Sequence, residues 1–290
     1  MPIKESELIL NPDGSVYHIA LTPEMVADDV ILVGDPGRVK TVSSRFDKIL
    51  FERQHREFIT HTGEYKGKLV TVISTGIGTD NIDIVLNELD AAVNIDLKTR
   101  EIKKKLKSLN LIRIGTSGSL QADISVDAYV ASTFGLGLDV LLNYYDFDNT
   151  ELEEDLADAF EDQTEWPATL HLPVFIEGSK SLLEKSKPFT KQGITATAPG
   201  FFGPQGRQLR LKPLVPDLNE KLTAFKHKDH RITNFEMETS ALYGLGRAMG
   251  HNSLTICAII ANRIKKEYSK NSQKAIETLI DLVLEELISK

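Results

Sequence analysis

Residues 29–46 read DVILVGDPGRVKTVSSRF. A short apolar run, DVILVG, stops at Gly34. The Asp-Pro-Gly that follows suits a turn, and the rest has the look of a short helix. The same arrangement recurs along the chain. KLVTVISTG (68–76) is a second strand running into IGTDNIDIVLNELDAAV, where Ile82, Val85, Leu86, Leu89 and Val93 have helical spacing. LNLIRIGTSGSL (109–120) is a buried strand. AYVASTFG (128–135), LPVFIEG (172–178) and GITATAPG (193–200) read as further strands. RITNFEMETSALYGLGRAMG (231–250) is the end of a strand and then a helix, with Gly250 as its stop. LTICAIIANR (254–263) is a last core strand, and NSQKAIETLIDLVLEELISK (271–290) a terminal amphipathic helix. Short β-branched runs alternating with longer helical patterns predict an α/β fold.

The chain has 290 residues, enough to bury a sizeable core as one large domain or two small ones, and no break in composition or internal repeat divides it. With a formal net charge of −8 it lacks the basic field that nucleic acid requires, though a local pocket for a small anion is compatible with that balance. The single cysteine, Cys257, sits inside LTICAII and reads as a buried small hydrophobe. The first twenty residues lack the pattern of a secretory leader, and no apolar run approaches the ~20 residues of a membrane span. A cytoplasmic protein with neither nucleic acid nor membrane as partner is therefore expected. The acidic stretch 146–167, DFDNTELEEDLADAFEDQTEWP, reads as a solvated insertion or a surface helix without a chemical role.

Three strands end in small residues beside a polar or cationic group: VGDPGR (33–38), STGIGT (74–79) and RIGTSGS (113–119). Ligands bind at strand ends of open α/β sheets, and glycine there lets an anion approach backbone N–H groups. Arg38 and Arg113 can each fork onto a phosphate, with the Thr116 hydroxyl as a further donor. Singly, each piece has an ordinary explanation, since Gly-Asp-Pro-Gly is a common turn and Arg38 suits a helix surface. Together they point to an anion site. Neither a P-loop nor a dinucleotide fingerprint is present, nor are the H-E-x-x-H, C-x-x-C and G-x-S-x-G patterns of metal sites and esterases.

QHREF (54–58) has the default reading of a solvated charged segment. In NFEMETSA (234–241), Glu236 and Glu238 suit a helix start, yet they can also accept hydrogen bonds from sugar hydroxyls, with Met237 packed on an apolar sugar face. GFFGPQGR (200–207) sets aromatic rings beside an amide and a guanidinium. It is either an ordinary anchored loop or a slot for a flat molecule with a polar edge.

Taken in order, VILVGDPGRV, HREF, VISTGIG, LIRIGTSGSL, NFEMETSALY and CAIIANR resemble the nucleoside phosphorylase-I superfamily, and most nearly its uridine phosphorylase branch. The resemblance runs from about residue 16 to 265. It implies a single-domain, three-layer α/β/α fold over 1–290 with a mixed, partly barrel-like central sheet. It also implies reversible phosphorolysis: nucleoside plus phosphate gives free base plus ribose 1-phosphate. Gly34, Arg38, Arg113 and Thr116 would hold phosphate, completed by Arg56 reaching across a dimer interface. His18 would cross likewise to the ribose 5′-hydroxyl, with Glu236, Met237 and Glu238 on the rest of the sugar. Phe201, Gln205, Arg207 and Ile260 would contact the base, and Arg38, Arg113 and Arg207 would carry the catalysis.

No cofactor is implied beyond phosphate as co-substrate. Glu57 lies where some members bind a potassium ion between subunits. The implied assembly is a homodimer unit with shared sites, alone or within a hexamer. Purine members carry an aspartate where this chain has Asn262, which favours a pyrimidine. A purine or broad-specificity phosphorylase, a hydrolytic nucleosidase and a binding protein that has kept the fold are the alternatives.

Overall fold

The computed structural model describes every residue except Phe147 and Lys290. In chain order the elements are β1 (Asp29–Val33), α1 (Pro36–Ser43), β2 (Lys48–His55), β3 (Phe58–Tyr65), β4 (Lys68–Ser74), α2 (Thr79–Asn94), β5 (Ile95–Asp96), β6 (Glu101–Ile102), β7 (Asn110–Ser119) and β8 (Tyr129–Gly137). They continue as α3 (Glu151–Thr164), β9 (Val174–Glu177), α4 (Lys180–Ser186), β10 (Lys191–Thr197), α5 (Leu218–Ala224), β11 (Lys226–His227), β12 (His230–Glu236), α6 (Thr239–Ala248), β13 (Asn252–Asn262), β14 (Glu267–Tyr268) and α7 (Ser272–Val283). The strands expected from the apolar runs are present, as are the helices that follow them.

Strand β1 lies between β4 and β7, parallel to both. Its side chains alternate with the period of two that a strand imposes. Val30 and Leu32 face a core shared with α2 and α6, while Ile31 and Val33 face one shared with α1, α4 and α7. Being buried on both faces explains why the run is apolar throughout. The main sheet runs β11-β12-β10-β8-β13-β7-β1-β4-β3-β2. Strand β12 then pairs back, antiparallel, onto the far end of β7 at Asn234↔Ser119 and Phe235↔Gly118. That contact closes β7, β13, β8, β10 and β12 into a ring, so one sheet is open at one end and barrel-like at the other. The layers and the partial barrel match the expected architecture.

Two segments carry more structure than their sequence reading named. QHREF is exposed at Gln54, Arg56 and Glu57, as a solvated charged segment is, and it forms the turn of the β2–β3 hairpin, with Arg56 at φ 52°. Strand β2 is largely exposed at the sheet edge, so its charged side chains leave no apolar alternation to read. The acidic stretch folds as α3, capped by Thr150 and Glu153 in a reciprocal box. Its acidic side faces out, whereas Leu156 and Phe160 enter a third core with Phe175 and Phe225. Buried Glu153 accepts from Arg247 at 2.7 Å and from the Glu177 N–H at 2.6 Å. Of the two readings offered for this stretch, the surface helix is the one that forms.

Candidate active site

The C-terminal ends of β1, β4 and β7 lie side by side and bring together the glycines of the candidate anion site. Gly34 follows β1 so closely against β4 that a Cβ there would lie 3.3 Å from the Gly76 carbonyl. Asp35 caps α1 through the Gly37 N–H, with Pro36 in the first turn. This sets Arg38 on the first turn of the helix, where it reaches across to donate to the Ile114 carbonyl of β7 at 3.1 Å. Arg113, one residue earlier on β7, is buried. Its guanidinium fills the space that the missing side chain of Gly115 leaves beside Cys257. Burial pushes the Cys257 thiol up to about 12, so it stays a neutral packing group.

Arg113 joins the anion site to a pair of buried carboxylates. It is ion-paired with Glu238, and its Nη1 stands 3.5 Å from Glu236. Glu238 also accepts the Gly78 N–H at 2.9 Å, at the start of α2. Glu236, the last residue of β12, accepts the Glu238 and Thr239 N–H groups and the Thr197 hydroxyl, which locks the start of α6. Met237, between them, is half-buried. Burial works against the charge on Arg113, but Glu238 and then Glu236 outweigh it and hold its pKa above the ordinary value. Burial raises the Glu236 carboxyl to about 7, against the lowering effect of Arg113.

Arg38 has its pKa lowered, first by burial and then by the positive charge of Arg113. Glu238 and Glu236 already compensate Arg113, whereas Arg38 has no ion pair among the described residues, so a small anion beside the two would be matched in charge by Arg38. Donors remain without a hydrogen bond, although Nη1 of Arg113 is ion-paired with Glu236. Nε and Nη1 of Arg113 have no hydrogen-bond partner among the described residues, and half-buried Thr116 has none recorded for its hydroxyl.

The segment GFFGPQGR forms a short turn over the closing end of the ring. Gly203–Gln205 make one 3-10 turn, and Gly206 ends it at φ 66°, a conformation that favours glycine. Gln205 is buried. Arg207 donates to Gln205 Oε1 at 2.6 Å and lies over the Phe201 ring at 3.8 Å. The amide and the guanidinium are thus brought together, and at present they bond to each other. A bound base must exchange that contact for its own edge. Behind the turn, a cavity of about 690 Å³ is walled by Leu138, Trp166, Pro199, Phe202 and Pro204 and reaches Arg207.

Arg263 was missed in the sequence, although it ends the AIIANR run. It donates to the Gln205 carbonyl at 2.5 Å and to Asn219 at 3.0 Å, and so fixes the turn from below. Burial, and then Arg207, lower its pKa to about 10. The only sequence signal was its place just beyond a core strand. Asn262 is fully engaged: its amide donates to the Gln121 and Ile124 carbonyls, and its oxygen accepts the Ile264 and Lys265 N–H groups. Ile260 sits at an irregularity in β13, between Ile259 and Ala261, and is half-buried. Such bulges re-aim a side chain.

The remaining site residues gather elsewhere. Arg56 lies 3.2 Å from the Tyr17 hydroxyl, Tyr17 packs edge-on against His18, and His55 Nδ1 is 3.0 Å from the His18 carbonyl. Among the described residues, no recorded hydrogen bond or ion pair joins His18 or Arg56 to Arg38, Arg113 or Glu238. Glu57 is exposed in the same hairpin turn. Asn81, near the start of α2, donates its amide to the Ile77 carbonyl at 3.2 Å. Among the described residues, no group of three His, Cys, Asp or Glu side chains is arranged to hold a metal ion. No helix among them is long and apolar enough to cross a membrane.

A part-open, part-closed sheet with an arginine pair, two buried carboxylates and an amide–guanidinium turn at its strand ends defines an α/β protein with a candidate site for a small anion beside a polar organic ligand. The chain belongs to the phosphorylase superfamily, whose family model matches residues 28–289. It is 32% identical over 271 residues to a uridine phosphorylase of Thermococcus kodakarensis, covering 90% of this chain and 83% of the relative. A purine nucleoside phosphorylase of the DeoD type from Streptococcus suis is 27% identical over 287 residues, covering 94% and 99%. The crystal structure of a Trypanosoma brucei nucleoside phosphorylase that shows uridine phosphorylase activity superposes with a TM-score of 0.91 at 30% identity, over 98% of this chain and all of that one.

Proposed function

We propose that this chain catalyses reversible phosphorolysis of a pyrimidine nucleoside, converting uridine and phosphate to uracil and ribose 1-phosphate in cytoplasmic salvage. The observation that carries this reading is the Gln205–Arg207 pair, a buried amide beside a guanidinium. Along one edge uracil offers carbonyl, N–H and carbonyl. The amide can donate to a carbonyl and accept from N3–H, while the guanidinium only donates and suits a carbonyl gathering charge. Asn262, at the position of the purine members' acid, has its carboxamide committed to backbone. This favours uridine over the purine alternative.

In the reaction the C1′–N1 bond loosens first. Its electron pair passes to the base, toward Arg207 and Gln205, and C1′ becomes cationic. Hydrogenphosphate held by Arg38, Arg113, Thr116 and the Gly34 backbone then forms the new C1′–O bond, and the proton it gives up ends on the departing uracil. Glu238, Glu236 and Met237 hold the sugar, with Ile260 and Phe201 against the base. Positioning and electrostatic stabilisation carry the catalysis, without a covalent enzyme intermediate.

The separation of His18 and Arg56 from the arginine–carboxylate centre supports their serving a neighbouring subunit, in a homodimer or a hexamer of dimers. Glu57 would be the chain's ligand for a potassium ion at that boundary, and no step depends on it. The test is a panel of uridine, thymidine, inosine and adenosine, each with and without inorganic phosphate. Phosphate-dependent release of uracil is expected. Release without phosphate would make the enzyme a nucleosidase, and preference for inosine or adenosine would overturn the base assignment.

A further inference from the structure

Glu88, in the third turn of α2, has a largely buried carboxylate. It accepts the His18 N–H at 2.8 Å and the Ile19 N–H at 2.8 Å, and its Oε1 lies 2.6 Å from His18 Nδ1. A carboxylate only accepts, so the imidazole proton sits on Nδ1. Tyr17 packs edge-on against the ring at 4.8 Å. Nε2 is left without a recorded partner among the described residues.

We propose that Glu88 is a positioning residue that sets the tautomer and the aim of His18, so that Nε2 is presented to the 5′-hydroxyl of a ribose in the neighbouring subunit. The inference rests on the placement of His18 proposed above. The geometry adds a physical link between sites. Gly78, just ahead of α2, holds Glu238 of the chain's own centre, and Glu88 lies ten residues on, about 15 Å along the helix axis. One rigid helix therefore fixes a sugar ligand of one site and the histidine offered to the next.

Glu88→Gln keeps the size of the side chain but not its chemistry. Its single oxygen is claimed by the His18 and Ile19 N–H groups. The amide NH₂ then faces Nδ1 and drives the proton to Nε2. The experiment compares kcat/KM for uridine with that for 5′-deoxyuridine, which lacks the hydroxyl, in wild type, His18→Ala and Glu88→Gln. It also records imidazole ¹⁵N spectra, with His18→Ala identifying the His18 resonances.

Wild type should prefer uridine, His18→Ala should abolish the preference, and Glu88→Gln should reduce it by about 10-fold, the size of one good hydrogen bond. The spectra should show Nδ1 protonated in wild type and Nε2 protonated in Glu88→Gln. If His18→Ala removes the preference while Glu88→Gln leaves it intact or slows both substrates equally, the positioning role is wrong. If His18→Ala leaves the preference unchanged, the placement of His18 fails and this inference with it. A wild-type ring protonated on Nε2 overturns the inference on its own.

Discussion

Arg207 carries a positive charge on a half-buried loop, and burial already lowers its pKa. That position is useful only if negative charge develops beside it. Arg207→Ala should therefore reduce uridine turnover by roughly 10²–10³-fold, the range for loss of one donor to a developing anion. Steady-state kinetics at saturating phosphate would measure it, and unchanged turnover would remove the residue from the mechanism. Glu236 makes a separate prediction, about stability. Its carboxyl rises from 4.5 to about 7 because burial disfavours the ion. Between those values the folded chain keeps a proton that the unfolded chain has lost. Its contribution is complete below about 4.5 and is lost as pH rises toward 7. Relative to Glu236→Gln, the wild-type Tm should fall across that window and level off above it, as thermal scans from pH 4.5 to 8 would show. Gln205 and Arg207 stood out in the sequence because an amide and a guanidinium beside aromatic rings are unusual in a loop, while their pairing with a base was implied only by the family resemblance. Arg263 and Glu88 were not legible. They act by holding backbone and a neighbouring ring, and such contacts leave no local pattern in the chain.

Among the elements, β1, β4, β7 and β13 were readable because each is an apolar run buried on both faces and punctuated by glycine or a polar end. The β2–β3 hairpin was not, since an edge strand exposed at most positions need not alternate apolar with polar residues. The pairing of β12 with β7 is a contact between residues more than 110 positions apart, set by three-dimensional closure rather than by any local run. The seat of α6 on β8 shows what the glycines there are for. A Cβ on Gly135 would lie 2.9 Å from the Ser240 backbone nitrogen and Cα, in the first turn of α6. Backbone cannot swing aside as a side-chain tip can. Gly135→Ala should cost about 1–3 kcal/mol, as overpacking does. It should also lower activity, because the same turn is pinned to Glu236 through the Thr239 N–H. Urea unfolding with a parallel uridine assay would register both effects. A variant as stable and as active as wild type would show that α6 can shift without disturbing the carboxylates.

For the whole molecule the open question is where a complete site lies. One chain assembles Arg38, Arg113, Glu236 and Glu238 at its strand ends, and Gln205 with Arg207 over the closed ring. It assembles His18, Tyr17, His55 and Arg56 on a hairpin and N-terminal segment, and among the described residues none of these four is hydrogen-bonded to that centre. If the second group serves the neighbour, loss of Arg56 damages the partner's site and loss of Arg113 damages the chain's own. Arg56→Ala and Arg113→Ala should each be nearly inactive alone. After the two are unfolded together, mixed in equal amounts and refolded, half the dimers are hybrids, and each hybrid holds one site with both arginines intact. Activity should then recover to about one quarter of the wild-type value, as random pairing within two-fold dimers requires. Were Arg56 to act within its own chain, every site in the mixture would still lack one arginine, and the refolded sample would stay as inactive as its parents.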